Sequence, residues 1–416
     1  MVAGWWDLDG AERARRVGEA AAQARGSAHG DWIEVAKDLA PGEGVLAGIP
    51  FSVKDNIDVR GFPTTAGSRL IDDSPAAVDA AVVSALRDAG AVVLGKTNLH
   101  ELAFGITSNN AAFGPVRNPA DPTRSAGGSS GGSAVGVALG VVPFALGTDT
   151  GGSVTIPAAY CGVVGFRPTT GRYPGDGVVN LSTSRDTIGI HAHAVLDVRV
   201  LDEIITGDRG APASLEGLRI GLPRHRFLDL EPEIADRAAT AVAALERAGA
   251  VLVDVELDDD VSGDDLVFHE TPRLLARRTG IAPAKWPKHI ASPDVRAIIA
   301  RILDSPITAD AYEAARAARW RLRRDYSDLF DQVDLLAYPT SPVLPPLLGQ
   351  DDTITLNGRE LPVFPTVTRN VSPGTVAGLP MISLPVSATA GICLESRPFT
   401  DARLLGVAEV VQSLLS

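Results

Sequence analysis

Residues 125–156, SAGGSSGGSAVGVALGVVPFALGTDTGGSVTI, constrain the fold more than any other stretch of the chain. Two glycine–serine clusters sit there, Gly127-Gly128-Ser129-Ser130-Gly131-Gly132 and Thr148-Asp149-Thr150-Gly151-Gly152-Ser153. A small-residue, apolar segment from Ser133 to Leu146 joins them. Glycine loses more backbone freedom on folding than any other residue, so clusters of it mark places where the chain takes positive φ or approaches something closely. Two such clusters, each carrying serine and linked by a connector apolar enough to be buried, describe a site at which backbone N–H groups and hydroxyls converge. The connector reads as a helix over about 131–140 followed by a strand over about 143–147.

The flanking sequence supplies a frame for such a site. An apolar strand, VLAGIPFSV (45–53), runs straight into Lys54-Asp55-Asn56. A helix over 75–89, with Ser74 as its N-cap and Pro75 in its first turn, ends at Gly90 and feeds a strand over 91–94. Further helices are expected over 8–26, 194–205, 232–249, 264–278, 292–304, 308–328 and 401–415, and strands over 218–223, 251–257, 333–340 and 381–387. The block 171–193 reads as turn-rich. This alternation predicts an α/β layer architecture with a buried sheet. No internal repeat or low-complexity linker divides the chain. The best candidate boundary, DRGAPASLEG (208–217), is expected to be a surface loop.

Composition narrows the partners. The 416 residues are 45% hydrophobic and 21% charged, enough for a sizeable core. A formal net charge of −13 argues against nucleic acid or an anionic membrane as the main partner. No run of about 18 apolar residues is present, so no membrane span is expected. The N-terminal MVAGWWDLDGAERARR has no apolar core of a signal peptide, and only Cys161 and Cys393 occur, so a reducing cytoplasm is the expected location.

Several patterns compete for the chemistry. Gly90–Thr97 matches a phosphate-loop pattern, but its middle, Ala-Val-Val-Leu, is itself the strand rather than a loop around phosphate. Gly127–Gly131 matches the nucleophile-elbow pattern GxSxG, yet a loop rather than a strand precedes it, and the last histidine is His289, far from the C-terminus. No histidine or cysteine lies in a metal-ligand spacing, so no metal is expected. His191 and His193 read as a solvated loop pair. Without a histidine base, a serine nucleophile needs another activator, and lysine can serve once burial lowers its pKa by up to about 3–5 units. Lys54, between an apolar strand and a polar turn, is the lysine best placed for that, although an ion pair with Asp55 or Asp58 would equally account for it.

These blocks resemble the amidase signature family. VKDNIDVRGFPTTAGS (53–68), GAVVLGKTNLHELAFG (90–105), the stretch 127–153, IPAAYCGVVGFRPTTGR (156–172) and LPMISLPVS (379–387) are similar to that family's blocks, in its order. HELAFGITSNNAAFGPVRNP (100–119) and RDTIG (185–189) are most similar to its indoleacetamide and mandelamide hydrolases. The resemblance implies a single domain over 1–416: N-terminal helices in 1–44, a signature core over about 48–206, and the remaining sheet and helical cover in 207–416. Its mixed central β-sheet would carry helices on both faces. It also implies a Ser–cis-Ser–Lys triad of Lys54, Ser129 and Ser153, with a cis peptide bond before Ser129. Backbone N–H groups of about Thr150, Gly151, Gly152 and Ser153 would form an oxyanion hole. The implied activity is hydrolysis of a small or medium carboxamide, aryl-substituted ones included, to carboxylate and ammonia, with no cofactor and a small-molecule amide as the only required partner. A homodimer is left open by the resemblance. The alternatives are an amidotransferase component that needs partner chains, and a catalytically degenerate scaffold. The chain departs from the family at Thr155 and His193, where arginines are usual, and in an abbreviated segment after the last expected strand.

Overall fold

The computed structural model describes residues 2–40, 42–210 and 213–415. Ala211 and Pro212, within the expected surface loop 208–217, lie outside the described residues. Among the described residues an 11-stranded sheet runs through the molecule. In chain order its strands are β1 (Trp32–Val35), β2 (Pro50–Lys54), β3 (Val92–Thr97), β4 (Phe144–Asp149), β5 (Val164–Arg167), β6 (Thr187–Ala192), β7 (Arg219–Pro223), β8 (Val251–Val255), β9 (Leu335–Pro339), β10 (Met381–Pro385) and β11 (Gly391–Glu395). Their spatial order is β1-β3-β2-β4-β6-β5-β10-β11-β9-β7-β8. Parallel trios β3-β2-β4 and β9-β7-β8 flank an antiparallel centre, so the sheet is mixed, as expected.

Both faces of the sheet are covered, and the period-2 alternation of strands sorts the side chains between them. Phe144 and Leu146 of β4 join Phe51, Val53, Ile190 and Phe166 in one core, beneath helices Ala81–Asp88, Val195–Thr206, Pro232–Arg247 and Asp401–Leu415. Ala145 faces the other way, into a layer with helices Gly10–Arg25 and Gly131–Ala138. Farther along that face, Leu336, Tyr338 and Met381 pack under helix Ala309–Gln332. Strands buried on both faces carry apolar residues at nearly every position. The sheet therefore forms one continuous α/β domain. Both cysteines are free and buried. Among the described residues no helix is long and apolar enough to cross a membrane.

Two local expectations fail, and one strand was not foreseen. The helix expected over 75–89 is only Ala81–Asp88, and Ala80 rather than Ser74 occupies its N-cap. Pro75 and Ala76 instead form isolated bridges to Pro63 and Arg60, which hold this approach segment extended. The turn-rich block 171–193 contains a central strand, β6, of which all six residues are buried. The abbreviated segment after β10 still supplies β11, which pairs with both β10 and β9.

Candidate active site

The parallel strands β2 and β4 end side by side, with Val53 opposite Leu146. Open α/β sheets collect their functional groups at such carboxyl ends. Lys54 is the last residue of β2 and is fully buried. Its Nζ donates to Ser129 Oγ at 2.8 Å, Ser130 Oγ at 2.9 Å and Thr148 Oγ1 at 2.8 Å, with Thr148 O at 3.4 Å. Asn56 Nδ2 donates to Thr148 Oγ1 at 3.0 Å and so fixes that hydroxyl in turn. The ion pairs that could have explained Lys54 are made elsewhere. Asp55 pairs with Lys96 at 3.1 Å, and Asp58 with Arg278 at 2.6 Å. Only hydroxyls and a carbonyl surround the Lys54 ammonium. Burial therefore pushes its pKa down to about 7, against the weaker opposing pull of Asp149 and Asp186.

The two glycine–serine clusters meet as their composition suggested. The Gly128–Ser129 peptide bond is cis, and Gly127 takes φ +75°. Ser129 and Ser130 directly precede helix Gly131–Ala138. The helix can start there because Gly132 lies against the backbone carbonyls of Asn98 and Asp31, where a Cβ would come within 2.4 and 2.5 Å. Ser130 N donates to Ser153 O at 3.2 Å, which ties the first cluster to the second. Ser153 is 7% exposed, and its hydroxyl makes no hydrogen bond to protein among the described residues.

Asp149 shapes the second cluster. Its carboxylate accepts from Gly152 N at 2.9 Å and Val154 N at 2.7 Å, and Gly152 takes φ +110°. The Gly152 N–H, expected among the oxyanion donors, is thereby committed to Asp149. The N–H groups of Thr150, Gly151 and Ser153 bond to no protein acceptor among the described residues. Arg167, on β5 and fully buried, donates through Nη1 to the Asp149 carbonyl at 2.9 Å and to its carboxylate at 3.2 Å. Thr150 Oγ1 donates to Asp186 Oδ1 at 2.6 Å, while Asp186 Oδ2 accepts from the backbone of Leu181 and Ser182. Sequence reasoning named Lys54, Ser129 and Ser153 but gave no role to Thr148, Asp149, Arg167 or Asp186. Asp149 stood inside the quoted cluster, and an aspartate three residues before a glycine in a turn is a known acceptor for backbone N–H groups.

His191 and His193 were expected in a solvated loop, and this is wrong for His191. It lies on β6, fully buried, with Nε2 3.0 Å from Val154 O, and burial holds its pKa down at about 3. It is a neutral prop under the residue that follows Ser153. Nor does the phosphate-loop pattern hold phosphate: Gly95-Lys96-Thr97 is part of β3.

A family model described as Amidase matches residues 31–405. The chain belongs to the amidase signature family. This amidase is 39% identical to the indoleacetamide hydrolase of Agrobacterium vitis, an alignment that covers 89% of this chain and 84% of that protein. It is 37% identical to the mandelamide hydrolase of Pseudomonas putida, covering 96% and 84% respectively. The solved structure of native peptide amidase from Stenotrophomonas maltophilia superposes with a TM-score of 0.79 at 28% identity, covering 99% of this chain and 94% of that one.

Proposed function

We propose that this amidase hydrolyses a small or medium carboxamide, aryl-substituted ones included, to carboxylate and ammonia through an acyl-enzyme on Ser153. One observation carries the reading: a buried lysine whose Nζ touches only hydroxyl and carbonyl oxygens, with Ser129 among them. In such surroundings the neutral amine is accessible near neutral pH, and a neutral amine is a base.

In this mechanism Lys54 is the base, Ser129 the relay and Ser153 the nucleophile. Lys54 takes the Ser129 proton as Ser129 takes that of Ser153, and Ser153 Oγ attacks the amide carbonyl. The N–H groups of Thr150, Gly151 and Ser153 hold the developing oxyanion, and losing one such donor typically costs about 10²–10³ in rate. The relay returns the proton to the departing nitrogen, which leaves as ammonia. Water then attacks the acyl-enzyme by the same route and releases the carboxylate. The kinship to an indoleacetamide hydrolase and a mandelamide hydrolase supports a carboxamide substrate, with aryl-substituted ones within range. The test is ammonia release from a panel of aryl, alkyl and amino-acid amides, combined with labelling by a fluorophosphonate. Turnover that Ser153→Ala abolishes is the expected result. Folded protein that neither releases ammonia nor is labelled at Ser153 would overturn the reading.

A further inference from the structure

Arg185, beside the serine loop, makes no ion pair among the described residues. It lies two residues before β6 and is 4% exposed. Its Nη2 donates to Thr375 Oγ1 at 3.0 Å, its buried Nε has no hydrogen-bond partner, and no carboxylate pairs with it among the described residues. Asp264 and Asp186 are near enough to favour its charge, but neither makes an ion pair with it, and Asp186 is turned toward Thr150 and the backbone of Leu181 and Ser182. Neighbouring cations make the spot more positive still. Arg167 is occupied by Asp149, and Arg319 donates to the carbonyls of Val376 and Ser184 rather than to a carboxylate. Burial, with added repulsion from Arg167, lowers the Arg185 pKa to about 10 against the partial pull of Asp264 and Asp186. A buried charge without an ion-pair partner is costly to a fold, so one that more distant carboxylates compensate only in part, beside a reactive loop, asks for a ligand.

The position says which part of a ligand. A Cβ on Gly151 would stand 3.6 Å from Arg185 Nη2 and 3.9 Å from Phe364 Cζ, so the guanidinium and the ring border that residue directly. Gly263 leaves the guanidinium its place, since a Cβ there would fall 2.1 Å from Nη1. A group bonded to Arg185 Nη2 therefore lies beside Gly151, one of the residues whose N–H groups would hold the oxyanion. Resting on the acyl-enzyme reading above, we propose that Arg185 is a specificity-determining residue that receives a carboxylate on the acyl part of the substrate. The favoured substrates are then half-amides of short dicarboxylic acids. Carboxylate fits these close quarters because it is compact and its oxygens match the planar donors of a guanidinium.

The test compares succinamate with its uncharged methyl ester in the wild type and in Arg185→Gln and Arg185→Lys. Expected is a wild-type preference, in kcat/KM, for succinamate over the ester. Arg185→Gln should reduce that ratio by a factor of about 10–100, the range for a hydrogen bond to a charged group, mainly through KM. Arg185→Lys should keep part of it. A purely structural role for Arg185 would lower both substrates by the same factor and leave the ratio unmoved, which overturns the proposal. So does a wild type that hydrolyses the ester and phenylacetamide but not succinamate, and in that case the amidase reading stands. A wild type that hydrolyses none of the three and is not labelled at Ser153 defeats both.

Discussion

Lys54 sets the terms at the scale of single residues. Burial depresses its ammonium from the ordinary value to about 7, and the weaker pull of Asp149 and Asp186 does not offset it. In the proposed mechanism the neutral form is the base, so kcat should rise with pH through about 7 and level off above it; a flat profile from pH 6 to 9 would exclude Lys54 as the base. The same shift acts on stability with a definite sign. Between about 7 and the unfolded value near 10.4, the unfolded chain binds this proton and the folded chain does not, so Lys54 penalises folding least at high pH. Lys54→Met should thus raise the melting temperature more at pH 6 than at pH 9.5, while abolishing turnover. Ser129→Ala should lower kcat by several orders of magnitude with the fold retained, measured alongside circular dichroism. At this scale the sequence pointed to residues that the fold gathers at one site and was silent about what holds them. Lys54, Ser129 and Ser153 are marked by motif. Arg167 and Asp186 are distant in sequence from the loop they brace, and only the folded sheet brings them to it.

Among the elements, the loop 149–154 is the one to disturb. Asp149 and Arg167 are both fully buried and opposite in charge. Removing one partner of such a pair strands the other, at a cost of about 3–5 kcal/mol. Asp149→Ala should therefore destabilise the protein by that order in denaturant unfolding and also free the N–H groups of Gly152 and Val154. Arg167 meets Asp149 from β5, while Thr155, where the sequence resemblance led one to expect an arginine, donates to Gly152 O at 3.3 Å. Close packing imposes a second test. Helix Thr155–Tyr160 lies flush on the sheet because Gly165 of β5 has no side chain; a Cβ there would fall 2.4 Å from Ala158 Cβ and 2.8 Å from Val154 O. Gly165→Val should lower kcat as well as stability, since the displaced helix carries the residues just after Ser153. Most helices were legible from their amphipathic period and their ends. Strands β5, β6 and β11 were not, because they are short, buried on both faces and lack the polar–apolar alternation by which a half-exposed strand announces itself.

For the molecule as a whole, the closing helix Asp401–Leu415 shows how far the sheet's integrity reaches. Leu404, Leu405, Val407, Ala408 and Val411 enter the main core, and Asp401 accepts from both the backbone N–H and the hydroxyl of Thr169, two residues after Arg167. Ending the chain at Phe399 would uncover the centre of the sheet, so the truncated protein should be recovered as aggregate rather than as a weakened enzyme, judged by size-exclusion chromatography. The overall class was readable because helices and strands alternate along the chain. The strand order was not, since antiparallel neighbours in the centre come from segments more than 200 residues apart, such as β5 and β10.

The two sealed cysteines turn the molecule into its own stopwatch. Burial raises both thiols well above their ordinary range, so neither forms a reactive thiolate while the fold is closed. Cys161 directly follows the helix after Ser153, and Cys393 lies on β11 in the sheet's antiparallel centre. A chromogenic disulfide reagent should therefore leave the native protein colourless and unimpaired, and count two equivalents once denaturant is added. Under native conditions, the rate at which each sulfur is captured would time the opening of its own neighbourhood, one beside the serine loop and one in the middle of the sheet.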